Sequence, residues 1–157
     1  MRALGVDYGQ RRIGLALSDA TGMLARPWKV IARVGNSSQV ARAIADEIRA
    51  LSEAGDPIGV IVLGHPKRLS GEPNDQTMIV EKLADQLRQL VTVPLVLQDE
   101  RLSSHEADRL LAEGEKDWRK RRARLDAVAA AVILQDYLLD RAARGRRSSF
   151  DPEDSER

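Results

Sequence analysis

The run Ile58 to Leu63, IGVIVL, constrains this chain more than any other stretch. It is short, apolar and rich in β-branched residues, the pattern of a strand covered on both faces. A second such run, Val93 to Leu97, follows a stretch from Thr77 to Leu90 in which Ile79, Leu83, Leu87 and Leu90 form an apolar stripe at helical spacing. Two buried strands joined through a helix make a right-handed parallel crossover. The chain is therefore expected to be α/β, with helices on both faces of its sheet.

The N-terminal third reads differently. Ala3 to Val6 form a short buried strand, and Ile13, Leu15 and Leu17 alternate with Gly14, Ala16 and Ser18 at the period of a half-buried one. Together they predict a hairpin whose turn, Asp7 to Arg12, carries Gly9, free to take positive φ, and the cations Arg11 and Arg12. Asp19 to Gly22 is a second turn, and Met23 to Val34 a third extended segment that Pro27 assigns to a sheet edge. Asn36 and Gln39 make a capping box for a helix with Val40, Ile44, Ile48 and Leu51 on one face, closed by Gly55. Gly64 to Gln76 is a polar loop containing Gly71. Ser103 and Glu106 open a helix to about Leu111, and Leu125 to Ala143 form the last one. The order β-β-β-α-β-α-β-α, with the final α split in two, fits a mixed five-stranded sheet. One domain, residues 1–143, and a disordered polar tail, 144–157, are expected.

Composition narrows the chemistry. The 157 residues include no cysteine, which removes disulfides, thiol catalysis and zinc-thiolate sites and leaves carboxylates and two histidines as the main metal ligands. No signal sequence opens the chain, and its most apolar run, Ala127 to Gln135, is too short to span a bilayer, so a cytoplasmic protein without membrane contact is expected. The net charge of +1 conceals a basic cluster, Lys116, Arg119, Lys120, Arg121, Arg122 and Arg124, with Asp117 as its one acid. A polyanion on this face and a solvated basic helix end explain such a cluster equally well.

In α/β sheets ligands bind beyond the carboxyl ends of the strands. Asp7, Asp99 and Glu100 fall there, and Asp126 joins them if the last helix begins near that edge, with its N-terminal dipole favouring an anion close by. Three carboxylates together call for Mg²⁺ or Mn²⁺, a combination suited to phosphodiester hydrolysis. Each acid taken singly is better explained as a cap or turn residue. Neighbouring strand residues point to opposite faces, so one of Asp99 and Glu100 faces the cluster; the longer Glu100 is preferred, with Asp99 as its substitute. His65 and His105 lack ligand spacing. Trp28 and Trp118 can stack on bases or pack in an interface.

The motifs Val6-Asp7-Tyr8-Gly9 with Arg12-Ile13-Gly14, Gly64-x-Pro66 running to Gly71, Asp99-Glu100-Arg101-Leu102-Ser103, and Leu125-Asp126 followed by Ala129-Ala130 and Ile133-Leu134-Gln135 resemble the YqgF/RuvX family over residues 3 to 140. The resemblance implies a ribonuclease H-like fold, sheet order 3-2-1-4-5, and a metal-dependent nuclease maturing the 5′ end of 16S rRNA, with Asp7, Glu100 and Asp126 as catalytic metal ligands. Arg11, Arg12, Lys67, Arg68, Arg101 and the basic cluster from Lys116 to Arg124 are the expected nucleic-acid contacts; Gly9, Gly14, Gly64, Gly71 and Ser103 are expected to shape the backbone. His65, Lys67 and Arg68 depart from the family's usual residues, as does Arg124 from its usual lysine. The partner is structured RNA or branched DNA, and the chain a monomer or homodimer. Alternatives from other classes are a junction resolvase on DNA, an actin-like ATP-binding domain, and a non-catalytic nucleic-acid-binding factor.

Overall fold

The computed structural model describes residues 1–67, 70–100 and 118–148. Strands β1 (Arg2–Tyr8), β2 (Arg12–Ser18) and β3 (Ala25–Ala32) are followed by α1 (Ser37–Glu53), β4 (Ile58–His65), α2 (Asp75–Leu90), β5 (Leu95–Asp99) and α3 (Trp118–Ser148). They form one five-stranded sheet in the order β3-β2-β1-β4-β5. The first three strands are an antiparallel meander, and β4 and β5 each add in parallel. Pro27 lies on the outer strand, as expected. Leu15 pairs with Lys29 and Ala16 with Pro27, so Trp28 is the extra residue of a bulge where the ladder is already broken.

Side-chain alternation divides the sheet into two unlike faces. Leu4, Val6 and Tyr8 of β1, Ile13 and Leu15 of β2, and Ile61 and Leu63 of β4 pack with α1 and α2 into the larger core. The opposite face is built of small residues, Ala3 and Ala16 with Val62, and carries α3 through Ala130, Ala131, Ile133, Leu134 and Leu138. A Cβ on Gly5 would lie 2.8 Å from both the Ala130 carbonyl oxygen and the Leu134 Cβ. The missing side chain lets α3 lie directly on β1.

Local signals explain most of the boundaries. Asn36 and Gln39 form the expected capping box, and Gly55 takes φ 89° where α1 ends. Asn74 and Thr77 make a second box, starting α2 two residues earlier than its apolar stripe implied. That stripe is Val80, Leu83, Ala84 and Leu87 with Ile79 at its margin, whereas Leu90 is exposed, because the helix ends before another turn can cover it. The last helix departs furthest from expectation. It begins at Trp118 and not near Leu125, because Arg, Lys and Ala favour helix strongly enough to extend it through the basic segment. It continues to Ser148, so residues 144–148 of the expected tail are helical. The helix expected from Ser103 to Leu111 and residues 149–157 lie outside the described residues. No described helix is long and apolar enough to cross a membrane.

Candidate active site

Asp7 belongs to the small-residue face. Its neighbours Val6 and Tyr8 point into the larger core, so alternation turns Asp7 toward α3. Directly across the β1–β2 ladder its partner is Gly14. A Cβ on Gly14 would overlap the carbonyl of Asp126, so this glycine opens the seat on which α3 brings Asp126 beside Asp7. Asp126 lies about two turns into α3 and not at its start. The helix dipole therefore does not act on it as the sequence suggested; packing on Gly14 places it instead.

Glu100 arrives from the other side. Along β5, Leu95 and Leu97 pack in the larger core and Val96 with α3. Gln98 also reaches α3, donating to Asp140 at 3.2 Å. The backbone N–H of Glu100 continues the pairing, donating to the His65 carbonyl at 3.4 Å, and the same alternation sends its side chain toward α3. Its carboxylate lies over Gly64, where a Cβ would overlap it. Asp99 falls on the α1/α2 side of the strand.

The electrostatics tie these acids together. Burial pushes the Asp7 carboxyl up from 3.8 to about 6, and the charge of Asp126 adds to the rise. Burial also pushes Glu100 from 4.5 to about 8, with Asp7 and then Asp99 contributing. Asp126 has a cationic neighbour: Arg12 Nε donates to its Oδ2 at 2.6 Å. Among the described residues no three Asp, Glu or His side chains converge as ligands of a single ion. The set nevertheless suits a hard divalent cation in kind: oxygen donors only, half-buried, with negative charge that Arg12 offsets on one member.

Beside Asp126 lies a cavity of about 430 Å³ lined by Gly9, Gln10, Arg11 and Arg12, the hairpin turn itself. Gly9 is not in the positive-φ region that its turn position suggested; a side chain there would meet the Arg12 carbonyl, 2.6 Å from its Cβ. Gly71 does take φ 89°. Lys67 is half-buried after β4, and Arg124 is exposed along a groove of about 730 Å³ shared with Trp28 and Val128. Trp28 packs partly against the core and carries Lys29 Nζ 4.5 Å above its ring. His65 bonds Glu81 on α2 at 3.0 Å, away from the acids. Arg68, Arg101, Ser103 and Lys116 lie outside the described residues, as do the side chains of Arg119, Lys120, Arg121 and Arg122.

Two contacts brace the fold across distant segments, one behind the hairpin turn and one at the opposite end of β2. Arg33, just past β3, donates to the Gly9 carbonyl at 3.0 Å while its guanidinium covers the Tyr8 ring at 4.1 Å. Gln135 of α3 clamps the β2–β3 turn, accepting from Ala25 N at 2.9 Å and donating to Met23 O at 3.1 Å. Both join segments remote in sequence; the meander's return of β3 to the first hairpin is the signal that points to Arg33.

The mixed sheet in the order β3-β2-β1-β4-β5, with α3 laid across one face, defines a ribonuclease H-like fold. A family model described as "RuvX: Holliday junction resolvase" matches residues 1–140, and the chain belongs to that family. It is 39% identical over 137 residues to a protein of Roseiflexus sp. (strain RS-1) named "Putative pre-16S rRNA nuclease", covering 87% of this chain and 93% of that one. A relative of the same name from Chloroflexus aurantiacus is 37% identical over 153 residues, covering 98% and 96% of the two chains. Among solved structures, Thermus thermophilus RuvC in complex with Holliday junction substrate aligns with a TM-score of 0.55 at 15% identity, covering 91% of this chain and 96% of that one. The yeast mitochondrial resolvase Ydc2 aligns at 0.54 and 16%, covering 94% and 82%. These two likenesses concern the fold.

Proposed function

We propose that this chain is a divalent-metal-dependent endonuclease that acts in the cytoplasm on precursor 16S rRNA, maturing its 5′ end. The observation that supports the chemistry is that Asp7 and Glu100 are acids whose carboxyls burial pushes up, with the charge of Asp126 adding to the first and those of Asp7 and Asp99 to the second. The names of the family relatives support the choice of RNA.

Asp7, Glu100 and Asp126 are the residues that would hold Mg²⁺ or Mn²⁺, which when bound supplies an activated water and stabilises the departing oxygen. The remaining work falls to the chain's own groups. Arg11 and Arg12 present guanidinium forks to the non-bridging phosphate oxygens at the hairpin turn. Gly9 keeps that turn low enough for a sugar-phosphate backbone to approach, and Arg33 holds it from behind. Gly14 and Gly64 seat Asp126 and Glu100 close to the sheet.

The test is Asp7→Asn in a purified, metal-replete assay on an rRNA precursor and a four-way DNA junction side by side. Cleavage of the precursor is expected to disappear with the variant and with EDTA; cleavage that survives Asp7→Asn overturns the site. The family description favours a second reading, junction resolution on DNA. That activity needs two sites in a dimer, so preferential junction cleavage by a dimeric species would select it.

A further inference from the structure

Arg12 meets two demands. Its Nε holds Asp126 Oδ2 at 2.6 Å, both side chains being partly exposed, 37% and 24%. The same residue lines the cavity in front of the hairpin turn, where a phosphate of the nucleic-acid backbone would sit. Among the described residues no three acids close on a common point, and Asp126 is the acid whose carboxylate is engaged by a cation of the chain itself.

We infer that Arg12 is a latch: without nucleic acid it occupies and neutralises the Asp126 carboxylate beside Asp7, and a bound backbone phosphate draws the guanidinium away, so that this carboxylate is freed for a divalent cation. The inference rests on the reading of these three acids as metal ligands and makes Arg12 a positioning residue toward the cation. Its physical basis is competition. A guanidinium bonded to one oxygen of a carboxylate repels a second cation approaching the other, and it matches a phosphate with two parallel bonds where a single Nε contact serves Asp126. Metal and nucleic acid then strengthen each other's binding, since each removes the obstacle to the other. Without such a latch the acids would gather a cation independently of substrate.

The test is calorimetric titration of Mn²⁺ alone into the full chain, free of nucleic acid. Arg12→Gln is expected to bind Mn²⁺ about tenfold tighter than the wild type, because a repelling charge a few ångströms away has gone. Arg12→Met, which keeps the length of the apolar stem, gives the same reading if the glutamine variant does not fold, as checked by circular dichroism. Asp7→Asn serves as the control and is expected to bind more weakly than the wild type. Unchanged or weaker Mn²⁺ affinity in the Arg12 variants, with the Asp7→Asn loss retained, overturns the latch and leaves the metal-site reading intact. Mn²⁺ affinity unaltered by Asp7→Asn overturns both.

Discussion

Gly14 carries no side chain where the Asp126 carbonyl rests, and it is also the ladder partner of Asp7. One missing Cβ thus sets the spacing between two acids far apart in the chain. Gly14→Ala would force α3 off β2. The expected cost is about 1–3 kcal/mol, as for other overpacked sites, with a larger fractional loss of cleavage than of nucleic-acid binding. Thermal melts and separate measurement of kcat and KM check it.

The carboxylate on β5 can be assigned by paired substitutions. Glu100→Gln should lower cleavage by about 100-fold or more, the scale seen when a group stabilising developing charge is lost. Asp99→Asn, on the opposite side of the strand, should leave most of the activity. A reversal of the two would exchange their roles, and single-turnover rates at saturating Mg²⁺ distinguish the cases.

Asp7→Asn should inactivate the enzyme and stabilise it. The native carboxyl sits at about 6 against an ordinary 3.8, so at pH 8 its ionised form opposes folding by about 3 kcal/mol. An amide of the same shape removes that opposition. Urea denaturation at pH 8 in EDTA should show the variant more stable than the wild type by up to that amount.

The pH dependence follows with its sign. Asp7 and Glu100 both have folded values raised above their ordinary ones, to about 6 and about 8. The native state therefore binds more protons than the unfolded chain between these values, and these two groups make the metal-free protein less stable as pH rises from about 4 to about 8. The charge of Asp126 adds to the rise at Asp7, and the charges of Asp7 and Asp99 add to that at Glu100. Denaturation midpoints in EDTA should fall across that window, the fall should be blunted in an Asp7→Asn/Glu100→Gln double variant, and Mg²⁺ should restore stability at the alkaline end.

Arg33→Ala should loosen the hairpin turn. It removes a hydrogen bond to Gly9 and a cation over Tyr8, together about 1–2 kcal/mol at this partly buried site. Nucleic-acid binding should weaken along with stability, because the turn that carries Arg11 and Arg12 is no longer held. Hydrogen exchange at the Gly9 and Gln10 amides reads the loosening directly.

What the sequence by itself determined was local. Alternation in β2, the apolar runs of β1, β4 and β5, the Asn36 capping box and the proline on β3 each act through neighbouring residues, and the structure follows them, except that β1 runs on through Asp7 to Tyr8 and β5 is shifted to Leu95–Asp99. The order of the strands came from the family resemblance, and the candidate acids could be named because the ends of strands are local features too. Tertiary structure alone decided how those acids stand to one another. The basic segment became the first turns of α3, so Asp126 is placed by contact with Gly14 and not by a helix end. Alternation along β5 turned Glu100 toward Asp7 only because that strand joined the sheet with Leu95 and Leu97 facing the larger core. The pairing of Arg12 with Asp126 joins the hairpin to the last helix, and no periodicity records it. Such relationships depend on which faces meet, a property of packing between segments that no stretch of chain encodes alone.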